Sequence, residues 1–438
     1  MANKSLKKKK AGKIALIVLL TIICLIVLSS TIIALVNIVS VKANMQLAQS
    51  FNAVENENII LPEQDENGNY YFKADRDLKV LQLTDIHVGG GCFSTSKDAM
   101  AINAVASMVS AEKPDLVVIT GDLTFPVPFF AGTLNNMKSA KIVATLMEQL
   151  GVAWIPVFGN HDTEAYTYYN REKMANFYEN NEFEHCLFKK GPSDIYGYGN
   201  SVITVKNSDN IITQALFLLD SNAYLDDDKL GILWHYDNIH QDQIDWYKNS
   251  AIELSNQNKA TIDKLYADNK QSYNDAMQKY GDITQLLFFH IPIEEYAQAW
   301  NSHIDGDDSV KVYYGTVGEK NGALCTPSSS DNLFETMQSI GGKKGIFCGH
   351  DHLNNFSLDY KGIRLTYGYS VDYLAYSGIS KIGSQRGCTI ITLKTNGDFD
   401  CVGSNYYQDK YIMQNNSKKE MVTMQNLEES GKKTTEKS

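Results

Sequence analysis

Five of the nine histidines of this 438-residue chain stand in short polar clusters. The clusters are Asp85-Ile86-His87, Gly121-Asp122, Gly159-Asn160-His161-Asp162, Phe289-His290 and Gly349-His350-Asp351-His352. Histidine is the commonest protein metal ligand at neutral pH. Mixed aspartate, asparagine and histidine donors suit Zn, Fe or Mn, not Ca or a thiolate-bound cluster. An aspartate and a histidine two residues apart at the end of a strand point to the same side. Asp122 is the natural bridging carboxylate, and Asn160 can supply a neutral carbonyl oxygen. His185, His235, His240 and His303 stand in no such cluster, and solvated or packing roles are expected for them.

Each cluster follows an apolar run, at residues 79–84, 116–120, 154–158, 286–289 and 345–348. The first three runs alternate with helical patterns at 99–110 and 142–150, giving a β-α-β-α-β rhythm. Strands apolar on both faces imply a largely parallel sheet covered by helices. Further strands are expected at 201–205, 215–219 and 389–393, and a charged helical region at 241–280. Ligand sites in open α/β sheets lie outside the carboxyl ends of the strands. Clusters far apart in sequence therefore converge on one crevice.

The N-terminus has a different character. Residues 1–13 carry six lysines and no acid, and residues 14–41 carry no charge. That run of 28 residues exceeds the roughly 20 that span a bilayer and the 7–15 or so of a signal-peptide core. An anchor is therefore preferred to a leader cleaved near Val41-Lys42-Ala43. The lysines place the N-terminus in the cytoplasm and the rest of the chain outside. Removing residues 1–42, with seven lysines and no acids, takes the net charge from −11 to −18. Such a surface repels polyanions, so no nucleic-acid partner is expected. Residues 42–75 read as a polar stalk, 76–405 as the folded domain and 406–438 as a disordered tail. Six cysteines scattered beyond the anchor allow a disulfide without indicating its connectivity.

The ordered set D-x-H, GD, GNHD, H and GHxH, spread over residues 85–352, resembles the calcineurin-like metallophosphoesterases. The resemblance implies a calcineurin-like four-layer α/β/β/α sandwich with a dimetal site at the strand carboxyl ends, here preceded by one transmembrane helix. By position, it implies one metal on Asp85, His87, Asp122 and His352, and a second on Asp122, Asn160, His290 and His350. His161 corresponds to the catalytic histidine, oriented by Asp162, with Asp351 a loop residue or a support for the ligands. The implied cofactors are two divalent ions, Mn, Zn or Fe. The implied activity is hydrolysis of a phosphorylated substrate by metal-activated hydroxide. A phosphomonoester is the first expectation, and a diester of nucleotides or envelope polymers the second. A non-catalytic envelope protein that keeps its metals is the alternative of another class.

The segments 289–296 and 243–246 are similar to the purple acid phosphatase-like branch. Two positions depart from the purple enzymes: Phe125 stands where they have a tyrosine ligand, and His87 is a histidine they lack. No charge-transfer colour is expected. Tyr166, Tyr168 and Tyr224 are expected in the aromatic core or rim, and Arg364 and Arg386 in surface pairs.

Overall fold

The computed structural model describes residues 2–412 other than 181, 377, 378 and 380–385. In chain order its strands are β1 (Pro62–Gln64), β2 (Tyr70–Lys73), β3 (Leu78–Leu83), β4 (Leu116–Thr120), β5 (Ala153–Val157), β6 (Ser201–Lys206), β7 (Ile212–Leu218), β8 (Thr284–Phe288), β9 (Lys311–Val317), β10 (Lys344–Cys348), β11 (Asn354–Tyr360), β12 (Ile363–Tyr367), β13 (Gly387–Leu393) and β14 (Phe399–Asn405). The helices are α1 (Ala2–Gln49), α2 (Thr95–Glu112), α3 (Pro128–Ala131), α4 (Asn136–Leu150), α5 (Arg171–Tyr178), α6 (Gln241–Leu265), α7 (Lys270–Tyr280), α8 (Glu295–Ile304) and α9 (Leu333–Ser339). One sheet runs β14-β13-β3-β4-β5, and the other β1-β2-β6-β7-β8-β10-β12-β11-β9. β3, β4 and β5 are parallel neighbours, as are β7, β8, β10 and β12.

Strand alternation sorts the apolar side chains into layers. Val80, Val118 and Ile155 of the first sheet meet Leu216, Leu286 and Phe347 of the second, all buried. Leu81, Val117 and Trp154 point the other way, onto α2 and α4 through Ala104, Met108 and Met147. On the far side of the second sheet, Phe217, Leu287 and Ile346 pack on Tyr247, Tyr296 and Met337 of α6, α8 and α9. This is the four-layer α/β/β/α order, because each sheet must bury both apolar faces.

Residues 42–75 do not form a stalk. α1 continues to Gln49, with Ser40, Asn44 and Ala48 buried, and Asn44 reaches Asp98 of α2. β1 and β2 then add to the second sheet, β2 beside β6. Polar composition hid this, because strands at the margin of a sheet need few buried side chains: β1 buries none and β2 only Phe72. At the other end, Tyr406 and Tyr411 are buried, so the folded part extends past residue 405. Residues 413–438 of the expected tail lie outside the described residues. The 241–280 region is helical, as two helices, with α7 restarting on an Asn269 cap that accepts from Ser272 N–H. All seven cysteines are free.

Candidate metal centre

The carboxyl ends of β3, β4, β5, β8 and β10 come together where the two sheets meet, and all the sequence clusters meet there. Asp85, His87, Asp122, Asn160 and His290 are at most 1% exposed. Ligand atoms of Asp85, His87 and His352 lie within 4.8 Å of one another, as do those of Asp122, His290 and His350. Asp122 joins the groups. Its Oδ2 is 3.3 Å from Nε2 of His87 and 3.1 Å from Nε2 of His290. Its Oδ1 accepts from the backbone N–H of His161 at 2.8 Å. Asn160 Oδ1 is 3.2 Å from His290 Nε2, so the asparagine joins the second group.

The backbone is shaped to bring these donors in. Asp85, His87, Asp122 and His350 have φ of 52°, 52°, 50° and 91°, a left-handed region that costs a non-glycine residue roughly 1–3 kcal/mol. The motif glycines allow close approach: a Cβ on Gly159 would stand 2.2 Å from Asp122 Oδ1, and one on Gly349 1.9 Å from Thr84 Oγ1. No side chain fits at either place.

A hydrogen bond orients His290, and a carboxylate stands beside Nδ1 of His352 and His87. His290 Nδ1 is 2.9 Å from the Thr120 carbonyl, which makes Nδ1 the donor and leaves Nε2 to the centre. His352 Nδ1 is 3.2 Å, and His87 Nδ1 3.7 Å, from the two oxygens of Asp372. Sequence reading missed Asp372. It follows β12, whose Ile-Arg-Leu-Thr-Tyr sequence disguises a fully buried strand, yet β12 runs parallel to β10 and delivers its polar end to the same edge.

His161 is distinct. Its side chain is 28% open, against 0% for His87 and His290, and one ring nitrogen lies within 4.8 Å of ligand atoms of His87 and Asp122. The expectation that Asp162 orients it is corrected by the structure. Asp162 accepts from the backbone N–H groups of Thr124 and Gly159, at 2.9 and 2.8 Å, and so ties the loop after β4 to the loop after β5. The carboxylate on His161 Nδ1 is Glu164, at 2.7 Å. The signal was available: Glu164 is three residues on, and residues 161–163 form one 3-10 turn. Tyr224 donates to Glu164 at 3.2 Å and accepts from Asn160 Nδ2 at 2.8 Å, so it touches the site. Arg364 and Arg386 are buried rather than on the surface. Arg386 donates to the carbonyl of Asp372 and Arg364 to Ser357. Asp351 accepts from Cys325 N–H.

Electrostatics follow from burial among acids. Burial alone would raise Asp122, but His290 and His161 hold it well below the carboxylate range. Burial would lower His290 and His352, yet Asp122 holds the first, and Asp372 the second, up at about 9. Burial, with repulsion from His290, pushes His350 well down. Burial would lower His161 too, but the Asp122 and Glu164 carboxylates raise it. The buried field thus attracts cations. Asp85 Oδ1 and His350 Nε2 are buried with no hydrogen-bond partner, and such orphaned donor atoms are what bound ions satisfy. The oxygen and nitrogen donors fit two divalent ions.

Residues 78–354 match the family described as Calcineurin-like phosphoesterase. The chain belongs to this family. The Arabidopsis thaliana protein named "Probable inactive purple acid phosphatase 14" is 24% identical over 70% of this chain and 74% of its own length. "Probable inactive purple acid phosphatase 29" of the same plant is 25% identical over 74% of this chain and 79% of its own. Phosphatase DCR2 of Saccharomyces cerevisiae is 24% identical over 64% of this chain and 45% of its own. A solved dimetal phosphatase from Danio rerio aligns with 76% of this chain and 98% of its own at 12% identity, with a TM-score of 0.45. This calcineurin-like phosphoesterase is thus a metal-dependent phosphoester hydrolase by family, with purple acid phosphatase-like relatives and clusters of ligand atoms among the described residues.

Proposed function

We propose that this phosphoesterase is a membrane-anchored, extracytoplasmic phosphomonoesterase that works with two divalent ions, Zn, Mn or Fe. The observation that carries the dimetal reading is the position of Asp122 Oδ2, 3.3 Å from His87 and 3.1 Å from His290. One carboxylate oxygen serves both groups. The first ion would be held by Asp85, His87, Asp122 and His352, the second by Asp122, Asn160, His290 and His350. When bound, the pair lowers the pKa of water and offsets charge on the phosphoryl oxygens.

The chain supplies positioning and a proton. No serine or cysteine side chain is needed as nucleophile. Glu164 fixes His161 through Nδ1, which orients the ring to pass a proton to the leaving alkoxide. Tyr224 holds Asn160 and Glu164 in register. Anchoring is supported by α1, whose stretch from Lys10 to Gln49 is long and apolar enough to cross a membrane. The lysine flank of that helix supports an extracytoplasmic domain.

The test is turnover of p-nitrophenyl phosphate against bis-p-nitrophenyl phosphate by the full chain in detergent, with metal analysis. Faster monoester turnover is expected. A preference for the diester would make the enzyme a phosphodiesterase, and turnover of neither would make it a metal-holding binding protein. His161→Ala should retain both metals and lose roughly 10²–10⁴-fold in rate on alkyl phosphates, with a smaller loss on p-nitrophenyl phosphate, whose leaving group needs no proton. Equal losses on the two would assign His161 to charge stabilisation alone.

A further inference from the structure

Two exposed apolar segments flank the metal centre and take no part in the chemistry above. On one side are Phe129 and Phe130 of α3, 92% and 46% exposed, with Phe93 at 57%. Phe130 packs on Phe125 at 5.8 Å between ring centroids, and Phe125 on His161 at 4.9 Å. On the other side are Ile232, Leu233 and Trp234, 71%, 58% and 70% exposed. Their neighbour Gly231 lies against Tyr224, where a Cβ would come within 2.4 Å of the ring, and Tyr224 touches Asn160. This second segment is built rather than slack. The Asp228 carboxylate accepts from the backbone N–H groups of Ile232, Leu233 and His235, at 2.8, 3.0 and 3.1 Å.

The first segment is tied to α1. Asn37 donates to the Gly132 carbonyl at 2.8 Å and accepts from Cys92 N–H at 2.7 Å. It therefore grips the residue before Phe93 and the glycine two residues past Phe130. Counting from Ile14, the first residue after the lysines, roughly 20 residues cross the hydrocarbon core, which brings the far boundary near Ile33. Asn37 is one helical turn further, about 6 Å. With α1 crossing a bilayer on that count, Phe93, Phe129 and Phe130 would stand at headgroup depth, where aromatic side chains are enriched. Charge does not hold this domain to an anionic surface, because residues 43–438 carry −18. Apolar insertion does not need such attraction.

We infer that the metal cleft opens onto the bilayer crossed by α1, and that its substrate is a lipid phosphate, whose chain stays in the membrane while its phosphate enters the cleft. This rests on the phosphomonoesterase reading. In the reaction the bond between phosphorus and the lipid oxygen breaks and a bond from phosphorus to the oxygen of water forms. A proton passes through His161 to the lipid oxygen, leaving a lipid alcohol and inorganic phosphate.

The test uses the full chain in phosphatidylcholine vesicles containing dioleoyl phosphatidate, with p-nitrophenyl phosphate as the soluble control. Phosphatidate should be hydrolysed. The double variant Phe129→Ser, Leu233→Ser should lose about tenfold or more on it, from lost apolar burial, and keep its rate on the soluble ester. Separately, Trp234 fluorescence, taken as the difference from Trp234→Phe, should be quenched by dibrominated phosphatidylcholine. Absence of quenching, or equal phosphatidate rates for parent and variant, would overturn the inference. Turnover of the soluble ester without phosphatidate would overturn the substrate assignment and point to a protein or soluble ligand on the rim. Quenching with turnover of neither ester would leave the rim in the membrane and overturn both the substrate assignment and the phosphomonoesterase reading.

Discussion

Asp122 and Asp162 are both buried aspartates beside His161, and their hydrogen bonds separate their roles. Asp122 offers Oδ2 to two imidazoles, whereas both oxygens of Asp162 are taken by backbone N–H groups. Burial first, and the Asp122 charge second, raise Asp162 to about 6, which suits a structural brace. Two substitutions should therefore diverge. Glu164→Gln should keep fold and metals and lose roughly 10–100-fold in turnover, the usual effect of an orienting partner. Asp162→Asn should set an amide NH₂ against a backbone N–H and cost about 1–3 kcal/mol of stability, read as a lower Tm. A Glu164→Gln enzyme with unchanged turnover would remove Glu164 from the mechanism. Phe125 makes a second residue-scale prediction. Its ring is edge-on to His87 at 5.2 Å and to His161 at 4.9 Å, and it has no ligand atom. Metal-loaded, oxidised protein should lack an intense visible band, and a strong purple absorbance abolished by replacing Tyr166 or Tyr224 would contradict this.

At the scale of elements, each strand end brings one or two candidate ligand residues to the centre, and neighbouring elements brace it. Arg171 of α5 shows how. It donates to Gly159 O after β5 and pairs with buried Asp220 after β7 at 2.6 Å, joining the two sheets behind His161. Away from the site, the start of α8 holds a charge at a cost. Burial, then Asp331, Glu335 and Glu294, push Glu295 up to about 7 from its ordinary 4.5. The folded state therefore favours the neutral acid. Its contribution to stability is full below the unfolded value and is lost as pH rises to about 7. Glu295→Gln should gain on the parent in stability between pH 4.5 and 7, by roughly 1–3 kcal/mol and read as a higher Tm, with no further gain above. A constant difference across that range would show that Glu295 does not titrate there.

At the scale of the whole molecule, α1 is continuous with the fold. Ile33, Asn37, Ser40, Asn44 and Ala48 form a covered or part-covered stripe along it, at the three- and four-residue spacing of one helix face. Asn44 ends on Asp98, which also accepts from Gly89 and Gly90 N–H just past His87. α1 and the loop that carries Asp85 and His87 are thus mechanically joined. The protein should stay in the membrane pellet through alkaline carbonate washing, whereas a peripheral protein would be released. Recovery of a soluble form starting near Ala43 would show that α1 is a cleaved leader.

The sequence by itself determined which polar clusters meet, the strands that carry them and the parallel order of β3, β4 and β5. Those features are local: an apolar run followed within one or two residues by a glycine, aspartate or histidine marks a strand end without knowledge of its neighbours. The apolar run of α1 was legible for the same reason. Tertiary structure decided what depends on pairing at a distance. Glu164, not Asp162, meets His161, because the 3-10 turn swings the third residue back and the loop after β4 claims Asp162. Asp372 reaches His352 because β12 lies beside β10, a neighbour relation that composition does not encode. Residues 42–75 join the fold because the second sheet had a free edge beside β6 and α2 had a buried Asp98 to be met. Polar residues with such partners cannot be told from solvated ones until the partners are in place.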